Sequence, residues 1–186
     1  DLASKETLHQ HLGDHPFVPA STMKLVTAAV ALKTFGSTFR FTTEATWNSD
    51  SNSLYLVGSG DPALKSKHLE TLADGIATSL GTNKNRISLY ADTSLFPKFT
   101  NPSGWKPNPM PRYVRNIYSL SVDGLGAFNA PEIAGKKLAS LLKVRGYKVK
   151  FVGNKKSDGV QIATTNGYFL YSIVRNMLQD SDNTIA

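Results

Sequence analysis

Cysteine is absent from the 186 residues of this chain. Disulfide bonds, thiolate metal sites and cysteine nucleophiles are therefore excluded, and cysteine usage cannot indicate the redox compartment. Long apolar runs are missing too: the longest, Leu25 to Leu32, is interrupted by Thr27 and bordered by Lys24 and Lys33. A membrane-spanning helix needs roughly 18 or more apolar residues, so we expect no transmembrane segment.

The chain also lacks a recognisable signal peptide, because it begins Asp-Leu-Ala-Ser-Lys-Glu without an apolar segment. We expect either a cytoplasmic protein or one whose targeting segment was removed. The 21 Lys and Arg against 14 Asp and Glu give a net charge of +7, which favours anionic partners in general. These cations are scattered, and their densest groups are pairs such as Lys136-Lys137, whereas nucleic-acid-binding modules usually concentrate them. We therefore expect no nucleic-acid partner.

The length indicates one large domain, or one domain with a smaller insert. A long segment from Pro19 to Gly36 has proline in its first turn and glycine after its last turn, as helices often do. Its apolar residues cover most of the helix surface. This pattern predicts a buried helix at the centre of the core.

The rest of the chain predicts a mixture of helices and strands. Apolar and polar residues alternate over 39–47, and a turn at 48–53 followed by a short strand at 54–57 indicates a hairpin. Later segments predict a helix over 69–80, a strand over 87–91, a helix over 131–145, strands over 147–152 and 160–164, and a helix over 170–178. Residues 97–111 contain five of the nine prolines and predict a long irregular loop. No regular βαβ rhythm is visible, so the predicted fold class is α+β.

Three S-x-x-K patterns could place a hydroxyl and an amine on one helical face: Ser21 to Lys24, Ser103 to Lys106 and Ser140 to Lys143. Side chains at this spacing can hydrogen-bond, and the lysine can then act as a base toward the serine. Only Ser21 lies in the first turn of the helix predicted as buried, where free backbone N–H groups can face an oxyanion. The alternative is that Ser21 is a helix cap and Lys24 a solvated lysine.

Other candidates have plainer explanations. The histidines at 9, 11 and 15 lack a further ligand at metal-binding spacing, so we expect them to be solvated and predict no metal site. Trp105 and Tyr113 either line a groove or pin the proline-rich loop. We interpret Asp61 and Asp123 as turn residues.

The segment Phe17-Val-Pro-Ala-Ser-Thr-Met-Lys-Leu-Val-Thr-Ala-Ala closely resembles the active-serine segment of penicillin-binding proteins and serine β-lactamases. That superfamily carries S-x-x-K, then S-x-N, then K-T-G. The single S-x-N match, Ser181-Asp182-Asn183, follows a predicted helix. Three further segments resemble the D-alanyl-D-alanine carboxypeptidase/endopeptidase family of low-molecular-mass penicillin-binding proteins. They are Phe-Arg-Phe-Thr-Thr after the first helix, Leu54 to Leu64, and Asn176 to Asn183.

This resemblance implies a penicillin-binding, β-lactamase-like transpeptidase fold with a small α/β domain inserted between the first two motifs. We expect residues 1–44 to form the first part of the transpeptidase domain, 45–115 the inserted domain, and 116–186 the second part. K-T-G is absent, since Lys33-Thr34 is followed by Phe35. We therefore expect an incomplete polypeptide that lacks the strand carrying the third motif.

The resemblance also implies a serine-type D-Ala-D-Ala carboxypeptidase or endopeptidase that acts on peptidoglycan stem peptides through an acyl-enzyme, without a cofactor. Ser21 would be the nucleophile and Lys24 the base. Ser181 would relay a proton to the leaving amine, and Asn183 would hold the substrate amide, while Asp182 receives no role. β-Lactams would acylate Ser21, and the protein would act outside the cytoplasm after removal of a signal peptide. A serine β-lactamase and a non-catalytic wall-binding protein of the same fold remain alternatives.

Overall fold

A five-stranded mixed sheet organises the chain in the computed structural model, which describes residues 1, 3–82, 86–96, 116–124 and 129–186. Its strands are β1 (Arg40–Asn48), β2 (Ser53–Val57), β3 (Arg86–Asp92), β4 (Lys148–Asn154) and β5 (Val160–Phe169). Its helices are α1 (Met23–Phe35), α2 (Ser66–Leu80), α3 (Ala130–Val144) and α4 (Leu170–Gln179). Each predicted helix and strand is confirmed, and the ends of most differ from the prediction by a few residues at most.

The strand order is β4-β3-β2-β1-β5. β1 and β2 form the predicted hairpin, with antiparallel register from Glu44 opposite Val57 to Asn48 opposite Ser53. β2, β3 and β4 run parallel and are linked in sequence through α2 and α3. A β-α-β-α-β unit is therefore present, although no such rhythm was predicted. β4 and β5 do not pair with each other, because β4 bonds to β3 and β5 to β1 at opposite edges of the sheet.

The main core lies between one face of the sheet and the helices α2 and α3. Leucines 69 and 72 of α2 and leucines 138 and 142 of α3 are fully buried against strand residues such as Leu54 and Leu89. The hydroxyl of Tyr147, just before β4, donates to the carbonyl oxygens of Ala77 (3.0 Å) and Gly81 (2.6 Å). The Ala77 carbonyl also accepts from the Gly81 N–H (3.0 Å), so the Tyr147 hydroxyl chiefly supplies a partner to the Gly81 carbonyl, just past the end of α2.

A second, smaller core joins α1 to α4. Ala28 of α1 packs with Leu170, Val174 and Met177 of α4. The prediction that α1 is buried on most faces is wrong for the described structure: in α1 only Lys24 and Ala28 are buried. Met23, Leu25, Val26 and Val30 are each at least half exposed. The physical reason is that α4 is the main described element packed along α1.

Several predictions fall on parts of the chain that the structure does not describe. The proline-rich loop at 97–111, with Ser103, Trp105 and Lys106, lies outside the described residues, as does Tyr113. The predicted domain boundary at 44/45 falls inside β1, and the boundary at 115/116 follows an undescribed segment. The division into domains stays a prediction.

Within the described residues, no helix is both long enough and apolar enough to cross a lipid bilayer.

Candidate active site

Ser21 lies in a 3₁₀ turn, Ala20–Thr22, that leads directly into α1. Pro19 begins this turn, and its carbonyl oxygen accepts from the backbone N–H of Thr22 (3.0 Å) and from the Thr22 hydroxyl (2.6 Å). No side chain caps the N-terminus of either the turn or α1. Ser21 is therefore not the helix cap that the alternative reading required, and its hydroxyl is available for another partner.

Lys24 lies in the first turn of α1 and only 6% of it is exposed. The alternative of a solvated lysine is therefore wrong. Burial of an ammonium group is costly unless hydrogen-bonding groups surround it. Among the described residues Lys24 forms no ion pair, so neutral acceptors must satisfy it.

The end of α4 supplies those acceptors. The backbone N–H of Asp182 donates to the Met177 carbonyl oxygen (3.0 Å) and closes the helix, while Ser181 adopts a positive φ of 52°. The carboxylate of Asp182 accepts from the N–H groups of Thr184 (2.6 Å) and Ile185 (3.3 Å). Asp182 thus shapes the turn that presents its two neighbours, a task that the sequence did not indicate.

Four side chains meet where the start of α1 lies beside the end of α4. The Nζ of Lys24 is 3.2 Å from Ser21 Oγ, 3.3 Å from Ser181 Oγ and 2.5 Å from Asn183 Oδ1. The hydroxyls of Ser181 and Ser21 are themselves 2.9 Å apart. We name these four residues the serine–lysine cluster. Residues separated by up to 160 positions in the sequence are thereby in direct contact.

This arrangement suits proton transfer around a serine nucleophile. The ammonium group of lysine has three donors and no acceptor, and the three oxygens around Nζ match that number. A neutral amine at the same position would be within hydrogen-bonding reach of both serine hydroxyls, as a general base must be. The cluster lies at an exposed serine, so a substrate can approach Ser21 from solvent.

The other S-x-x-K patterns form no comparable arrangement in the described residues. The hydroxyl of Ser140 donates to the Lys136 carbonyl oxygen (3.0 Å) within α3, and Lys143 is exposed. The histidines at 9, 11 and 15 are exposed, and no group of three or more potential metal-binding side chains occurs in the described parts of the chain.

Two aspartates do more than form turns. Asp61 is 5% exposed; its Oδ1 accepts from the Ala63 N–H (2.8 Å), and its Oδ2 has no hydrogen-bond partner. A Cβ atom on Gly167 would overlap that oxygen, so the backbone of β5 closes over it. Burial raises the pKa of Asp61 to about 6, although the Ala63 bond opposes the shift. The hydrophilic loop sequence around Asp61 contained no signal for this burial.

Asp123 joins two helices. Its carboxylate accepts from the backbone N–H (2.9 Å) and hydroxyl of Ser66, at the start of α2, and from Lys137 Nζ of α3 (2.9 Å). Burial alone would raise the pKa of Asp123, but these hydrogen bonds outweigh it and hold the pKa at about 2. These partners are distant in sequence, so no local pattern could have identified them.

Comparisons with known proteins add independent information. A model of the D-Ala-D-Ala carboxypeptidase 3 (S13) family matches residues 1–124, which include Ser21 and Lys24. A D-alanyl-D-alanine carboxypeptidase of Actinomadura sp. is 37% identical over 129 residues, covering 66% of this chain and 24% of that protein. A carboxypeptidase of Mycobacterium tuberculosis is 34% identical over 210 residues, covering 100% of this chain and 45% of that protein. The chain thus spans less than half the length of either relative.

Among solved structures, penicillin binding protein 4 of Haemophilus influenzae has a similar fold. The TM-score is 0.74 at 17% sequence identity, and the match covers 91% of this chain and 55% of that one. The likeness confirms the predicted penicillin-binding-protein fold.

Proposed function

Because the chain belongs to the D-Ala-D-Ala carboxypeptidase 3 (S13) family, we propose that it carries the nucleophile and proton-transfer groups of a serine-type D-Ala-D-Ala carboxypeptidase or endopeptidase. The substrate is the stem peptide of peptidoglycan. The observation that carries this proposal is the serine–lysine cluster, in which Lys24 Nζ lies 2.5–3.3 Å from three side-chain oxygens.

Acylation begins when the Ser21 hydroxyl oxygen attacks the carbonyl carbon of the scissile peptide bond. In its neutral form, the Lys24 amine takes the hydroxyl proton across the 3.2 Å hydrogen bond. The new C–O bond forms as the carbonyl π bond opens to an oxyanion. The backbone N–H of Ser21, at the N-terminal side of α1, is one donor to that oxyanion.

Collapse of the tetrahedral intermediate breaks the C–N bond and needs a proton on the leaving amine. Ser181 contacts both Lys24 (3.3 Å) and Ser21 (2.9 Å), so it can pass the proton from the lysine to the amine. The Asn183 side-chain amide binds the substrate's peptide group beside Ser21. Water then hydrolyses the acyl-enzyme and regenerates the serine. No step in this sequence uses a metal or a cofactor.

The same serine is the expected target of β-lactams, because a strained lactam presents its carbonyl as the scissile peptide does. We also propose that the protein acts outside the cytoplasm, where peptidoglycan lies.

Intact-mass spectrometry of the full-length protein after incubation with benzylpenicillin tests the proposal. We expect one covalent benzylpenicillin adduct, which Ser21→Ala abolishes and Ser140→Ala, in the S-x-x-K pattern of α3, leaves intact. Failure of the wild type to form an adduct, or an adduct that survives in Ser21→Ala, refutes the assignment. Rapid turnover of benzylpenicillin through a short-lived adduct would instead identify a β-lactamase.

A further inference from the structure

A cationic cavity lies beside the start of α2 and shares no residue with the serine–lysine cluster. Its volume is about 480 Å³, and it opens between α2, the start of β1 and the end of β5. Its lining includes Arg40, Lys67 and His68, together with the hydroxyl-bearing residues Thr71, Thr164 and Thr165. Among the described residues that line it, none carries a carboxylate.

Arg40 is held in place by groups that leave part of its guanidinium unused. Its Nε donates to the Gly167 carbonyl oxygen (2.7 Å) and its Nη2 to the Asn166 carbonyl oxygen (3.2 Å). The guanidinium also lies over the Phe169 ring, 4.9 Å from its centroid. Arginine has five N–H donors, so further donors remain for a ligand. The two carbonyl groups of β5 fix the guanidinium that would present them.

Lys67 and His68 converge on the ring of Tyr168. The ammonium of Lys67 lies 4.5 Å from the centroid of that ring, and the His68 ring meets its edge at 5.1 Å. In the described part of the chain, neither Arg40 nor Lys67 forms an ion pair. Two unneutralised cations beside one cavity indicate an anionic ligand.

The neutral form of His68 provides a third donor. Its Nδ1 accepts from the backbone N–H of Lys65 (3.0 Å), so the neutral ring carries its proton on Nε2. Burial lowers the pKa of His68, and the charges of Lys67, Arg40 and Lys65 lower it further, against a smaller opposing effect of Asp123. A bound anion would offset the effect of those cations.

We propose that this cavity is a phosphate-binding site in which Arg40, Lys67 and the Nε2–H of His68 donate to the phosphate oxygens. A phosphate monoester carries a charge of about −1.5 to −2 at pH 7 and three acceptor oxygens. The charge matches the two cations, and the three oxygens match the three donor groups. A carboxylate offers one charge and two oxygens, so it fits less well. The site is independent of the chemistry at Ser21.

NMR titration of the histidine ring signals in the ¹⁵N-labelled chain, at constant ionic strength, tests the proposal. The probes are inorganic phosphate, glycerol 3-phosphate and acetate. We expect a saturable shift of the His68 signals and a raised His68 pKa with a phosphate probe, and no saturable shift with acetate. Tighter binding of glycerol 3-phosphate assigns the site to phosphate esters, whereas tighter binding of inorganic phosphate assigns it to the free ion.

Charge variants separate a built site from general attraction to a basic protein. Lys67→Gln should weaken phosphate binding roughly tenfold, the loss expected for one charge-assisted hydrogen bond, while Lys67→Arg retains it. Lys150→Gln removes an exposed charge from β4, at the opposite edge of the sheet, and should have no effect. Absence of a saturable shift, acetate binding as tight as phosphate, or equal losses in Lys67→Gln and Lys150→Gln would overturn the proposal.

Discussion

Replacing Asp61 with asparagine should change how the stability of the fold depends on pH. Burial raises the pKa of Asp61 from 3.8 to about 6 in the folded chain. Because the folded state holds this proton more tightly, stability falls as pH rises from about 4 to 6 and is level above and below that window. Each pKa unit corresponds to about 1.4 kcal/mol, so ionisation of Asp61 costs about 3 kcal/mol.

Asparagine removes this cost while preserving the local geometry. The side-chain amide is nearly the same size as the carboxylate, and its oxygen can still accept from the Ala63 N–H. We therefore expect the stability of Asp61→Asn relative to the wild type to rise by about 3 kcal/mol between pH 4 and pH 6, on top of a pH-independent cost of the unpaired amide N–H groups.

Urea unfolding followed by tryptophan fluorescence, at several pH values from 4 to 8, measures this difference. Other titrating groups contribute equally to both proteins, so the difference between the two profiles isolates Asp61. Asp50→Asn, in the exposed turn between β1 and β2, is the matched control and should follow the wild type. Parallel profiles for wild type and Asp61→Asn, or a growing advantage of the wild type above pH 6, would refute the reasoning.

Two further substitutions test the cluster and the helix junction. Lys24→Met should slow acylation by benzylpenicillin ~10²–10⁴-fold, as loss of a general base does, while Lys33→Met on the same helix should leave the rate constant unchanged; an unchanged rate in Lys24→Met would exclude Lys24 as the base. Asp123→Asn removes the carboxylate oxygen that accepts from both the Ser66 hydroxyl and Lys137 Nζ. Because the Asp123–Lys137 ion pair is partly solvated, this substitution should destabilise the fold by about 1 kcal/mol in urea unfolding at pH 7. The depressed pKa of Asp123 means that this loss should disappear as pH falls from about 4 to 2, and a loss independent of pH would contradict the ionic explanation.

The local elements of the fold were predictable because each depends on neighbouring residues. Periodicity over 69–80 and 170–178 revealed α2 and α4, and alternation plus a polar turn revealed the β1–β2 hairpin. The four residues of the cluster were identified through a resemblance of motifs. The structure adds that they touch, because the apolar face of α4 packs on Ala28 of α1.

Features that depend on distant partners were not predictable from one sequence. Residues 147–152 and 160–164 lie on either side of a turn, yet they belong to opposite edges of the sheet, since strand pairing depends on backbone groups elsewhere in the chain. Burial of Asp61 depends on Gly167, which is far along the chain. The cavity at Arg40 and Lys67 likewise arises only when β1, β5 and α2 pack together.

The contact between α1 and α4 has a consequence for the timing of reactivity during synthesis. Ser21 and Lys24 leave the ribosome long before Ser181 and Asn183, and in the unfolded chain nothing holds these groups together. The hydroxyl of a nascent chain is therefore as inert as that of any other serine. Under the proposed function, Ser21 gains its complete set of partners only once α4 has docked on α1, so a β-lactam meets the assembled cluster only in the folded protein.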